Sequence, residues 1–149
     1  MSRSSTLIPH VQPAAITIDD LIVNYDPLYP DVSISKYRRE YRNDDTVTDE
    51  RLKENIETAL IFINDALEKW RNDNLELLVL NNIQQQLYGR AVYHRTKQYI
   101  IKQYPDIDTT GNGADKAESM RLRIKDEQQG EREVIRLLTG RSRTTVTLI

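Results

Sequence analysis

The sequence contains no cysteine, a single phenylalanine and a single tryptophan in 149 residues. The first absence removes disulfide scaffolds, thiolate metal sites and thiol catalysis together. Long apolar runs are missing too. The longest, Ala59 to Ile63 and Leu77 to Leu80, fall far short of the roughly 20 residues that span a bilayer. The N-terminus lacks the charged-then-apolar order of a secretion signal, so a soluble compartment and no membrane are expected. Neither sign of charge dominates: a net charge of -2 argues against a dedicated nucleic-acid protein but leaves local patches open. Catalytic motifs are missing as well. There is no Gly-rich phosphate loop, no nucleophile elbow and no H-E-x-x-H, so neither an enzyme nor a cofactor is expected.

What is present fits one domain with one core. Apolar residues at 38% and charged residues at 30% are somewhat polar for a compact globule. Helices with broad wet faces, a disordered end, or burial completed by a partner would each explain it. Residues 1 to 30 hold four of the five prolines (Pro9, Pro13, Pro27, Pro30) and one short β-like run, "AITIDDLIV". This segment reads as an extended arm that orders against a neighbour, or as simple disorder. In "DVSISKYRREY", Ile34, Tyr37 and Tyr41 share a helical face, with Asp31 or Ser33 as the cap.

The second helix is the clearest. Thr48 caps it, Asp49 and Glu50 fill its first turn, and Leu52, Ile56, Ala59, Ile63, Leu67 and Trp70 recur at steps of three and four, which predicts a helix running to about Arg71. Leu60, Ile61 and Phe62 widen the stripe, as if more than one neighbour encloses it. "LELLVLNN" after it fits a buried strand or a helical turn equally well. The third helix, about Asn82 to Tyr104, has no acid but carries Arg90, Arg95, Lys97 and Lys102 together with Tyr88, Tyr93, Tyr99 and Tyr104. Cations interleaved with aromatics can bind nucleic acid non-specifically, which is the alternative function to be weighed. Packing weighs more. The helix from Asp49 to Asp73 has seven acids against four bases, so an antiparallel pair would neutralise itself while the tyrosines pack with only their hydroxyls wet. His94 reads as a packing residue, since its own helix offers no second ligand one turn away.

The stretch "YPDIDTTGNGADKAES" resembles an EF-hand loop from Asp106 through Asp108 and Gly111, but the fifth position is Thr110 and the twelfth is Ala117. Without the bidentate Glu too few oxygens remain to replace the ion's water, so it reads as a turn between helices, and no metal is expected. The fourth helix, about Ala114 to Leu138, places Ala117, Met120, Ile124, Val134 and Leu138 near a seven-residue spacing. Glu127 and Glu131 occupy the stripe positions between Ile124 and Val134, and Gly130 weakens the helix there, which predicts that the middle leaves the core or kinks. Gly140 is a C-terminal stop. Beyond it "RSRTTVTLI" is β-prone with no sheet of its own, a candidate for strand addition to a partner or a frayed terminus.

These elements define an all-α protein: a small bundle of three long helices plus a short N-terminal helix, with an extended arm over 1–30, the bundle over 31–140 and a β-prone tail over 141–149. The succession "YPDVSISKYRREYRNDDTVTDERLKENIETALIFINDAL", "LYGRAVYHRTKQYI", "GNGADKAES" and "RLLTGRSRTTVTLI" resembles the head completion (head stabilisation) protein, gene product L, of tailed phages with contractile tails. The resemblance covers about residue 29 to the C-terminus, and departs in the N-terminal arm and in Leu75 to Asn82. It implies a structural virion protein at the head-tail interface, made in the host cytoplasm. Such a protein would join the filled head as a homo-oligomeric, dodecameric adaptor ring beneath the portal and carry the downstream neck or tail-completion protein. On that resemblance, Arg141, Arg143, Thr145, Val146, Leu148 and Ile149 are the docking residues toward portal or neighbour. Arg90, Arg95, Lys97 and Lys102 would then face packaged DNA in the channel or contact a neighbouring subunit.

Overall fold

The structure, a computed structural model, describes residues 20–41, 46–104 and 113–140. The tail 141–149, the calcium-like loop at 105–112 and the first 19 residues of the arm lie outside the described residues. The described part is all-α apart from one short antiparallel strand pair, β1 (Leu21–Ile22) and β2 (Val32–Ser33), with Leu21 opposite Ser33 and Ile22 opposite Val32. Between them Asp26 folds the chain back: its carboxylate accepts from the Leu28 amide at 2.9 Å and its carbonyl from the Tyr29 amide at 3.1 Å, an Asx-type turn with Pro27 inside it and Pro30 after it. Residues 20–30, assigned to the arm on composition, deliver Ile22, Leu28 and Tyr29 into the core.

Helix α1 (Ile34–Glu40) starts at Ser33, whose hydroxyl accepts from the Lys36 amide at 3.1 Å. Asp20 braces the same corner, accepting from both serine hydroxyls and from the Ser35 amide. Burial opposes the charge of Asp20, but these hydrogen bonds outweigh it and hold the carboxyl below its ordinary range. Helix α2 (Asp49–Ala66) is capped by Thr48, with Asp49 and Glu50 in the first turn as expected. Arg38 ties α1 to it, donating to Asp49 at 2.6 Å and to the Val47 carbonyl at 2.8 Å.

Two expectations are corrected here. Helix α2 does not run to Arg71: it ends at Ala66, Leu67 adopts φ -93 and ψ 0, and a separate α3 (Glu68–Asp73) follows. No Gly or Pro marks this break. Leu67 stays fully buried at the bend, and Arg71 turns to meet Asp26 at 3.2 Å. The run Leu77 to Leu80 is neither strand nor helical turn but an irregular connection, with Leu80 buried and Leu75, Leu78 and Val79 exposed.

Helix α4 (Asn82–Gln103) opens with a capping box in which Asn81 and Gln84 serve each other's amides. Helix α5 (Gly113–Thr139) ends at Gly140, whose φ of 72 is the left-handed conformation that releases a helix end. The core lies where α2, α4 and the C-terminal half of α5 meet, around Leu52, Ile56, Ile63, Tyr88, Val92, Val134 and Leu138.

Candidate functional site

Helix α5 carries a third correction. Its polar middle does not leave the core. Glu131 is only 5% exposed, and α5 is continuous from Gly113 to Thr139. The outer apolar positions are the less buried ones: Ala117 is exposed, and Met120 and Ile124 are half-buried. The reason is a matching polar stripe on α4. Arg95 donates to both carboxylate oxygens of Glu131 at 2.7 and 2.6 Å, and Gln98 donates to it at 3.1 Å. One turn away His94 Nδ1 lies 3.0 Å from Glu127. The Arg95 guanidinium also sits 3.6 Å over the Phe62 ring of α2, so one side chain joins three helices. Where α2 was expected to neutralise the basic α4, Arg95 instead pairs with α5.

His94 packs as expected of it, and Gly130 explains how. A Cβ built on Gly130 would stand 2.7 Å from His94 Cε1, while the ring is held by Glu127 and by the edge of Tyr41 at 5.9 Å. Gly130→Ala therefore sets a gain in helix propensity of about 1 kcal/mol against an overpacking cost of about 1–3 kcal/mol. Net destabilisation is expected in the native chain. In a His94→Ala background the clash is gone, and Gly130→Ala should stabilise by about 1 kcal/mol. Urea unfolding of the four chains of this double-mutant cycle checks the reversal of sign.

A second buried polar cluster joins the N-terminal turn to the bundle. Tyr88 donates to Asn64 at 2.5 Å, Asn24 donates to the Tyr88 hydroxyl at 2.8 Å and to the Pro30 carbonyl at 3.1 Å, and Asn64 donates back to Asn24 at 3.0 Å. Each amide and hydroxyl meets a partner, which is what burial of such groups requires. The sequence carried no separable sign of this triad, because its members are 24 to 64 residues apart.

Two tyrosines of α4, Tyr88 and Tyr93, are turned inward. Tyr88 stacks on Tyr29 at 4.7 Å, and Tyr93 meets Tyr37 and Tyr41 edge-on at 5.3 and 5.5 Å while donating to the Ser33 carbonyl at 2.8 Å. These rings are occupied with one another. The four cations of α4 do not form one stripe either. At 3.6 residues per turn, Arg90 and Lys97 share one face, and Arg95 and Lys102 another about 140° away. Arg90 and Lys102 are exposed, Lys97 is half-buried, and Arg95 is half-buried in its ion pair. The candidate docking residues Arg141, Arg143, Thr145, Val146, Leu148 and Ile149 lie outside the described residues.

Two clefts open on the surface. One, of about 570 Å³, runs along α2 and α3 past Tyr25, Tyr29, Phe62 and Tyr99; the other, of similar volume, is lined by Lys36, Glu40, Arg90 and Tyr93. No group of His, Asp or Glu that could hold a metal occurs among the described residues. No helix among them is long and apolar enough to cross a membrane.

The described residues define a predominantly helical bundle whose helices α4 and α5 are joined by buried polar contacts. More particularly, the family of phage head completion proteins (GPL) matches residues 23–149, and the chain belongs to that family. The match begins ahead of the stretch on which the resemblance was read, taking in Asn24, and it spans the 75–82 connection where that resemblance departs. No curated protein and no solved structure matches the chain significantly. Its role is therefore completion of the phage head, which places it in the virion.

Proposed function

We propose that this head completion protein assembles as a closed ring, twelve-fold to match the portal, beneath the portal of the DNA-filled head. There it stabilises the head and provides the platform for the downstream neck or tail-completion protein. The observation that carries this reading is apolar surface left uncovered on the single chain: Ile61 and Phe62 on α2, Leu75, Leu78 and Val79 in the connection, and Ile83 at the start of α4 are all exposed. Large apolar side chains left exposed in this number favour an interaction surface, and a head-to-tail contact that closes makes a ring. In this reading the bundle is the body of the subunit, and the N-terminal arm and the tail 141–149 are the docking ends. Arg90 and Lys102, both exposed, attract channel DNA through phosphate without reading bases.

Native mass spectrometry of the purified chain, alone and mixed with the portal ring of its phage, tests this. Addition of subunits to the portal in one ring-sized block is the expected outcome. If portal and chain ignore each other at every concentration, the adaptor role is wrong.

A further inference from the structure

The cleft along α2 and α3 has features that a solvent-filled surface fold does not require. Its walls hold Ile61, Phe62 and Tyr25 at 58%, 41% and 65% exposure. Asp65 and Glu68, exposed on one rim, form no ion pair among the described residues. Tyr29 reaches the lining at only 4% exposure, and its hydroxyl is buried with no hydrogen-bond partner. A buried hydroxyl is nearly always paired. Among the described residues this one has no acceptor.

We propose that this groove is the receptor for an extended basic and apolar peptide, and that its occupant in the assembly is the C-terminal segment 141–149 of a second copy of the chain. The chemistry corresponds part by part. Arg141 and Arg143 match Asp65 and Glu68, and the alternating Val146 and Leu148 with Ile149 match the Phe62 and Tyr25 wall. The lengths correspond too. Nine extended residues reach about 30 Å, and the lining from Thr58 to Asn72 follows about 20 Å of helix. The tail of one subunit in the groove of the next is a heterologous contact, the kind that closes a ring; the same segment folded onto its own groove would build nothing. The inference rests on the ring reading and gives it a subunit contact.

The lack of cysteine makes the test clean, because any disulfide must join engineered positions. In the full chain carrying both Glu68→Cys and Arg143→Cys, mild oxidation should produce a covalent ladder on a non-reducing gel. Mixing the two single variants should produce the mixed dimer, identified by mass. A monomer that has lost two hydrogens but forms no ladder would put the tail in its own groove, and free thiols throughout would leave the groove without the tail; either outcome overturns the proposal. Charge reversal supplies an independent readout. Asp65→Lys with Glu68→Lys, or Arg141→Glu with Arg143→Glu, should raise the concentration for half-assembly about tenfold, the effect of two exposed ion pairs. All four substitutions together should restore it; failure to restore it counts against the pairing. If portal loading is intact while no cross-link forms, this inference fails and the adaptor role stands. If the ladder forms while the portal is ignored, the reverse holds.

Discussion

Glu131→Ala should destabilise the chain by about 3–5 kcal/mol, because it leaves the Arg95 guanidinium and the Gln98 amide inside the α4–α5 seam without their acceptor. The carboxylate is 5% exposed and takes three hydrogen bonds, two of them from one guanidinium. Arg95→Ala should cost a similar amount for the mirror reason, a buried carboxylate without its cation. The pair as a whole is another matter. Taking both charges out of water offsets much of their attraction, so Arg95→Met with Glu131→Leu should recover most of the loss. What the double variant should not recover is register. Glu131 lies in an otherwise apolar 3-4 repeat through Val134 and Leu138, so a one-turn slip of α5 along α4 would bury it away from Arg95. With both charges gone that slip costs little. Urea unfolding of the two single variants and the double checks the energies. A loss below 1 kcal/mol for Glu131→Ala would show that the seam is wet.

The second large effect is at high pH. Burial pushes the Tyr29 and Tyr41 hydroxyls up to about 12 from an ordinary value of 10.0. Tyr88 and Tyr93 are raised as well, by burial first, which outweighs the hydrogen bond between Asn24 and the Tyr88 hydroxyl and that between Tyr93 and the Ser33 carbonyl. The sign follows from linkage. A folded-state value above the unfolded one leaves stability intact below the unfolded value near 10 and removes it as pH rises toward the folded value. Across that window the unfolded chain has already released protons that the fold still holds. Each buried tyrosine in this state adds about 1.4 kcal/mol per pH unit to the loss. Stability should therefore be level from neutral pH to about 9.5 and then fall steeply, in a denaturant series read by far-UV circular dichroism. Tyr29→Phe isolates one contributor. Its hydroxyl has no partner among the described residues and its ring stacks on Tyr88, so the substitution should cost little at pH 7 and should flatten the alkaline slope by about 1.4 kcal/mol per pH unit. A slope unchanged by Tyr29→Phe would mean that this hydroxyl reaches water.

Much of this was legible one helix at a time. Thr48 with Asp49 and Glu50, Ser33 ahead of Ile34, and Gly140 after Leu138 are local signals, satisfied by groups within a few residues, and the structure uses each of them as written. The apolar stripe of α2 from Leu52 to Ile63 was equally plain, since a single period shows which face is buried. The errors fell where a residue's meaning depends on a distant partner. Glu127 and Glu131 read as breaks in a stripe because an acid in that position is costly alone, and only His94 and Arg95, more than 30 residues away, make it acceptable. The bend at Leu67 has no breaker residue and arises from the contacts of Leu67 and Arg71 with the rest of the bundle. Asn24 and Tyr29 looked like part of an arm for the same reason, as their partners Asn64 and Tyr88 lie far along the chain in α2 and α4.

The sequence alone thus determined the long helices, the caps of α1 and α2, the all-α class and the kinship with phage head completion proteins, because short-range hydrogen bonds and the period of apolar residues are written in order along the chain. Tertiary structure alone decided which polar residues are interior, which cations are already bound and which surface is left uncovered. Burial and pairing are properties of residues brought together by folding, and the free energy of a charge or a hydroxyl depends on what stands opposite it.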